Sequence, residues 1–177
     1  GNNYADEGVE ESAARGLYNL RTTVDALPHY ISQKNVDLFT RHHIFTEPEM
    51  HSRYEILLEN YVKVLNIESL TMLDMARKKI VPSVVSYIKQ LTETAAAKMT
   101  ISSSLPCETE RSLIHRLSSL LDVVSRQAEA LENALAQAPS HRALAHAEYQ
   151  PDKVLPALTA FRSPADQLEP LIARTPW

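Results

Sequence analysis

Residues 45–61 read FTEPEMHSRYEILLENY, and this stretch marks the start of a long helix. Thr46 and Glu49 have the spacing of a capping box, whose side chains satisfy backbone groups at a helix N-terminus. Phe45 and Met50 occupy the two positions of a hydrophobic staple. Apolar residues then recur every three or four positions, the period of a helix with one buried face. The residues expected on that face are Met50, Tyr54, Leu57, Leu58, Tyr61 and Leu65.

The rest of the chain has the composition of a helical protein. Only 3 of its 177 residues are Gly. The commonest residues include Ala, Leu, Glu and Arg, which are good helix formers. No stretch alternates apolar and polar residues for long enough to form a sheet. We therefore expect an all-α fold, a helical bundle of long, kinked helices with short connecting helices.

The helix that opens at Thr46 keeps its character as far as Met99. A straight helix of that length would extend about 80 Å. A compact domain of this size has a radius of gyration of only about 16 Å. The run must therefore bend or restart. Asn66 is a plausible new cap, and Pro82 lacks the backbone donor that a helix interior requires.

The segments on either side are also expected to be helical. A first helix from Asn3 to Arg15 should stop at Gly16, because glycine readily adopts the left-handed conformation that ends helices. Ser32 is expected to cap a short helix, and a last helix should run from Pro151 to Ala173 after a hinge at residues 138–141. We expect residues 1–44 to form an N-terminal helix and an irregular linking arm, and residues 45–177 to form the bundle as one compact unit.

A second apolar seam follows the loop TISSSLPCETE at residues 100–110. Its apolar residues are spaced by three, four and seven, which is typical of a helix packed against another helix. We expect bundle packing along this seam. Its members are Leu113, Leu117, Leu120, Val124, Leu131 and Ala138.

Charge and cysteine content exclude several classes of function. The net charge is −4 with acids and bases interspersed, so no basic surface is available to bind nucleic acid. No window holds eighteen uninterrupted apolar residues, so a membrane partner is not expected. Cys107 is the only cysteine, so no disulfide can form within the chain. A structural thiol and a cytoplasmic location are expected.

His51, Glu55 and Glu59 recur every four residues and form one ascending row of potential metal ligands or acid–base groups. On a helical wheel the row climbs from about 65° to about 145° away from the centre of the apolar face. A metal site inside a bundle needs ligands that project inward from facing helices. The row is therefore interpreted as a solvated flank or an interface. A metalloenzyme that uses His51 and Glu55 is the less favoured alternative.

No other pattern in the chain predicts an active site. His42 and His43 are adjacent, so on a helix their side chains diverge and cannot easily share one ion. There is no glycine-rich phosphate loop, no HExxH motif and no Cys/His cluster with zinc spacing. We assign no catalytic, cofactor-binding or metal-binding residue to this chain.

The phrases RYEILLENY (53–61) and LTMLDMARKKIVPSV (70–84) lie within a longer stretch that resembles the region after the catalytic barrel of type III glutamine synthetases. The resemblance is strongest from Arg15 to Leu91 and returns in YQPDKVLPALTAFRSPADQLEPLIARTPW, residues 149–177. It implies a parent ligase that makes glutamine from glutamate, ammonia and ATP with divalent metals such as Mg²⁺. It also implies that the catalytic residues lie in the barrel and that the parent assembles as rings.

The expected function is therefore that of a non-catalytic helical C-terminal domain, a fragment of a larger enzyme. Its expected partners are the catalytic domain of the same polypeptide and further copies of it. A free-standing helical protein-interaction module that binds through the 113–138 seam remains the alternative. The polar residues expected at the inter-domain or subunit contacts are Arg53, Glu55, Glu59, Asp74, Arg77 and Lys78.

Overall fold

The computed structural model describes residues 6–139 and 143–172. Helices follow one another closely in these residues, and no strand occurs in them, which confirms the all-α fold. The α-helices are α1 (Asp6–Ala14), α2 (Thr23–Tyr30), α3 (Gln33–Arg41), α4 (Glu47–Met75), α5 (Val81–Ile101), α6 (Glu108–Ala136), α7 (Ala143–Tyr149) and α8 (Leu155–Leu168). Two π-helical turns, Ala76–Ile80 and Gln150–Val154, precede α5 and α8, and a 3₁₀ turn at Glu169–Leu171 follows α8.

The described residues form two compact units. The first comprises residues 6–62 and 143–148, and the second comprises residues 63–139 and 149–172. The boundary between the two units falls inside α4, after residue 62. From the sequence, a boundary between residues 44 and 45 is expected instead. The expected start of the first helix at Asn3 and the expected end of the last helix at Ala173 lie outside the described residues. The same is true of part of the expected hinge at residues 138–141.

Helix α4 begins as the capping pattern predicts. The Thr46 backbone N–H and hydroxyl both donate to Glu49 Oε2, at 2.8 Å each. The backbone hydrogen bond from Thr46, followed by the bond from its hydroxyl, lowers the pKa of Glu49 below its usual value. Met50 is fully buried and Phe45 is half-buried, so the staple positions turn inward.

The core of the first unit contains Val24, Tyr54, Leu58, Val62 and Ala147. The expected burial of Tyr54 and Leu58 is confirmed, and Tyr61 is half-buried. The expected burial of Leu57 is wrong, because this side chain is 44% exposed. Buried residues on α4 follow a spacing of four from residue 50 to residue 62, which turns the neighbouring Leu57 away from the core.

The second unit is built around α6, against which α5 and α8 pack. Leu117, Val124 and Leu131 of the α6 seam are fully buried, as the heptad-like spacing predicts. Leu113, Leu120 and Ala138 are half-buried. The opposite sides of the core come from the end of α4, from α5 and from α8, with Leu73, Val84, Leu158, Phe161 and Leu168 among the buried residues.

The run from Thr46 to Met99 is interrupted near Pro82 and continues unbroken through Asn66. In the π-helical turn, the Val81 backbone N–H bonds to the Ala76 carbonyl five residues earlier. Proline cannot donate to the carbonyl four residues before it and collides with that group, so a widened turn just ahead of Pro82 accommodates its ring. The second π-helical turn likewise lies just ahead of a proline, Pro156. Its Leu155 backbone N–H bonds to the Gln150 carbonyl, five residues earlier.

Candidate functional site

The row of His51, Glu55 and Glu59 lies on the solvent-exposed side of α4 in the first unit. The neighbour of His51 is another exposed residue on the same helix, Glu47, whose Oε1 lies 4.0 Å from Nε2 of the imidazole. The structure thus places the row on a solvated flank. Among the described residues, no three His, Cys, Asp or Glu side chains converge as a possible metal-ligand set.

Arg53, the next polar residue expected at a contact, is engaged within its own unit. Its guanidinium lies over the Phe45 ring, 4.4 Å from the centroid. Phe45 contacts Phe39, and Phe39 contacts Tyr30, with ring centroids 5.8 and 6.4 Å apart. These rings connect the ends of α2 and α3 to the start of α4. Arg53 therefore has a structural role at a cation–π contact.

Asp74, Arg77 and Lys78 lie together in the second unit, near the end of α4. Lys78 pairs with Asp74 one turn earlier, and Arg77 reaches Glu132 on α6. The hydrogen bond that Arg77 donates to Glu132 raises the pKa of Arg77 and lowers the pKa of Glu132. These groups border an open groove of about 660 Å³, which Leu70, Thr71 and Leu73 also line. Because all four charges are paired, the groove has no uncompensated charge from this cluster.

Cys107 is buried at the start of α6, where its thiol contacts two carbonyl oxygens. The Sγ atom lies 3.8 Å from the Ala95 oxygen and 3.6 Å from the Leu105 oxygen. One turn further along α6, Glu110 pairs with Lys98 of α5. That hydrogen bond is the largest cause of the lowered pKa of Glu110 and of the raised pKa of Lys98. The arrangement closes the hairpin between α5 and α6, which is a structural role for the thiol.

A buried amide in the second unit lacks partners. Gln150, the first residue of the second π-helical turn, is fully buried. Neither Nε2 nor Oε1 has a hydrogen-bond partner among the described residues. A buried polar group without a partner costs about 1–3 kcal/mol of desolvation. The sequence contains no signal for this position, since Gln150 stands in a polar stretch.

Sequence reasoning also missed an apolar surface on the second-unit part of α4. Val64, Ile67, Leu70 and Met75 are 45%, 54%, 60% and 44% exposed. With Thr71 between them, they are spaced by three and four, so they adjoin on one side of the helix. Leu65, Ser69 and Leu73 are buried on the other side. We call residues 64, 67, 70, 71 and 75 the outer strip of α4.

The described residues do not fit the binding of Mg²⁺ and ATP. Such a site needs oxygen ligands for the metal and convergent donors for the phosphates. Glu55 and Glu59 are exposed singly, whereas Asp74 and Glu132 each pair with a cation of the chain.

None of the helices in the described residues combines the length and the apolar character that crossing a bilayer requires.

Comparison with known proteins gives a consistent result. A family model described as the glutamine synthetase C-terminal domain matches residues 1–99. The chain is 40% identical over 173 residues to a glutamine synthetase of Butyrivibrio fibrisolvens, a match that covers 97% of this chain and 25% of the relative. It is 28% identical over 182 residues to a type-3 glutamine synthetase of Dictyostelium discoideum, covering 100% of this chain and 25% of that protein. A glutamine synthetase of Bacteroides fragilis is 31% identical over 178 residues, 96% of this chain and 24% of the relative. The chain thus spans about a quarter of the length of the curated relatives that it matches.

Proposed function

This chain belongs to the glutamine synthetase C-terminal domain family, and from that premise we propose that it is the non-catalytic helical C-terminal domain of a type III glutamine synthetase. One observation carries the proposal. Nearly the whole chain aligns with only a quarter of the relative from Butyrivibrio fibrisolvens. A match of that kind is expected when a domain of a larger polypeptide is compared with the complete protein.

The parent polypeptide, in this proposal, ligates ammonia to glutamate with ATP and Mg²⁺ to give glutamine. Phosphoryl transfer needs metal ions and cationic groups arranged in advance around the developing charge. The described residues supply no such arrangement, so the parent's remaining three quarters would hold ATP and Mg²⁺. This chain would contribute stability and contacts.

The proposed partners are the catalytic domain of the same polypeptide and other copies of the parent in a homo-oligomer. The exposed positions of Glu55 and Glu59 leave both available for such contacts. Arg53, Asp74, Arg77 and Lys78 are exposed as well, although each is engaged by a neighbour within its own unit. A cytoplasmic location is part of the proposal, since glutamine synthesis draws on ATP.

The alternative of a free-standing interaction module that binds through the 113–138 seam has less support. The most buried residues of that seam, Leu117, Val124 and Leu131, already pack within the second unit. They are therefore not available to a partner without unfolding that core.

The test uses the full-length parent enzyme with His51→Ala and Glu55→Ala combined. Both side chains are exposed, so we expect glutamine formation per assembled subunit to stay close to that of the unmodified enzyme. The matched control is Lys89→Ala with Glu93→Ala, which removes an exposed pair on α5. A hundredfold or greater loss of turnover in the first variant alone, with assembly and melting temperature intact, would show that His51 or Glu55 takes part in catalysis.

A further inference from the structure

The outer strip of α4 is an apolar surface that the described residues leave uncovered. Its four large side chains, Val64, Ile67, Leu70 and Met75, are each between 44% and 60% exposed. Val64, Ile67 and Leu70 are spaced by three, and the exposed Thr71 connects Ile67 to Met75 at spacings of four, so the five side chains adjoin along the helix. Single exposed apolar residues are ordinary on a protein surface, whereas a contiguous patch of this kind is typical of an interaction site.

The opposite side of the same helix segment is buried: Leu73 belongs to the apolar core of the second unit, and Leu65 and Ser69 are buried as well. At about 100° per residue, Ile67 points away from both Leu65 and Ser69, which are buried. A helix that is apolar on opposite sides is characteristic of helices covered on both. Exposed charged residues border the strip: Lys63 lies one turn before Ile67, Asp74 lies one turn after Leu70, and Glu68 lies along one side. An apolar centre with a polar rim is the usual composition of a protein–protein interface.

We propose that the outer strip of α4 is the surface on which the remaining part of the same enzyme polypeptide docks. This inference rests on the proposed function, since it identifies the surface through which the domain supports the catalytic part. The curated relatives are about four times as long as the segment that this chain matches. A covalently attached partner of that size has a high effective concentration at the strip, which favours it over a separate molecule.

A second exposed apolar patch, at the tip of the hairpin between α5 and α6, is the less suitable candidate. It contains Ile101 and Leu105, which lie beyond the last residue of the family match. The match at residues 1–99 includes the whole of α4. The part of the chain that carries the family's pattern is therefore the part that carries the outer strip.

The strip is tested by photo-crosslinking in the full-length parent enzyme. A benzophenone amino acid replaces Ile67 in one preparation and Lys89, which is exposed on α5 and pairs with Glu93, in the control. We expect position 67 to crosslink to peptides of the same polypeptide that lie outside residues 1–177, and position 89 to give no such product. Mixing isotopically heavy and light subunits before assembly distinguishes crosslinks within one polypeptide from those between copies. Placing the probe at Leu70 provides a second variant in case the first does not fold.

Two outcomes overturn the proposal. One is the absence of any crosslink from positions 67 and 70 in a folded, active enzyme. The other is that positions 67 and 70 crosslink only to a second copy of the polypeptide. Either result leaves the proposed function standing when the unmodified parent forms glutamine. Absence of glutamine formation by the unmodified parent, by contrast, would refute the proposed function whatever the crosslinks show.

Discussion

Two adjacent leucines on α4 allow the register of the first unit's core to be tested with the same substitution. Leu58 is 1% exposed and packs with Tyr54 and Val62, whereas Leu57 faces solvent. Leu58→Ala removes three buried carbon groups, and at about 0.8 kcal/mol for each the lost transfer free energy is about 2.4 kcal/mol. The cavity that remains raises the cost to about 3–4 kcal/mol. Leu57→Ala leaves no enclosed cavity, and alanine's better helix propensity offsets part of its loss, so we expect a cost below about 1 kcal/mol.

The assay is urea denaturation followed by circular dichroism at a wavelength that reports helix. With a slope of about 2 kcal/mol per molar urea, Leu58→Ala should lower the midpoint of the transition that includes the first unit by about 1.5–2 M. Leu57→Ala should lower it by less than about 0.5 M. Equal shifts for the two variants, or a larger shift for Leu57→Ala, would refute the assignment of the buried side of α4.

Three further predictions concern single positions. The pKa values of Glu110 and Glu132 are lowered by their pairs, so the stabilisation is present above the ordinary carboxyl pKa of 4.5 and is lost as the pH falls through the lowered folded-state values. Melting temperature should therefore fall below about pH 4.5, and Glu110→Gln should flatten that dependence; an unchanged profile would count against the pairing. His43 has φ 52°, in the left-handed region, so His43→Gly should stabilise the protein by about 0.5–1 kcal/mol, while His42→Gly, at φ −89°, should not. Gln150→Met replaces the unpartnered amide with an apolar side chain of similar length and should raise the free energy of unfolding by about 1–3 kcal/mol; a loss of stability would show that the amide is satisfied in solution.

Helix signals that are local are predicted well from the sequence, whereas the expectation of an irregular arm is wrong for α2, which forms a helix with Pro28 inside it. Thr46 and Glu49 cap α4 through contacts three residues apart, and Gly16 has the expected left-handed φ of 73°. Pro82 marks the interruption because its missing donor is a property of the residue itself. Asn66 carries a comparable cap signal but lies inside α4, where the continuous packing of the helix prevails over a weak local preference.

Which side chains of α4 face the core, and which form the exposed apolar surface, is harder to predict for one physical reason. Helix α4 has apolar side chains on more than one side, so a helical wheel gives no single direction for the core. The apolar pattern therefore does not distinguish the exposed Leu57 from the buried Leu58, nor the exposed Val64, Ile67 and Leu70 from the buried side of the helix. Which side is buried depends on α2 in one unit and on α6 and α8 in the other, and those pairings are tertiary contacts that periodicity does not encode. The partnerless amide of Gln150 is likewise visible only once its surroundings are folded.

The most direct test of the central claim is a parallel assay of glutamine formation from glutamate, ammonia, ATP and Mg²⁺. The full-length parent and the 177-residue chain are compared at equal molar concentration. The parent is expected to form glutamine, and the chain alone is expected to form none, because its described residues lack a convergent set of metal and phosphate ligands. Glutamine formed by the isolated chain at a rate comparable to that of the parent would contradict the account.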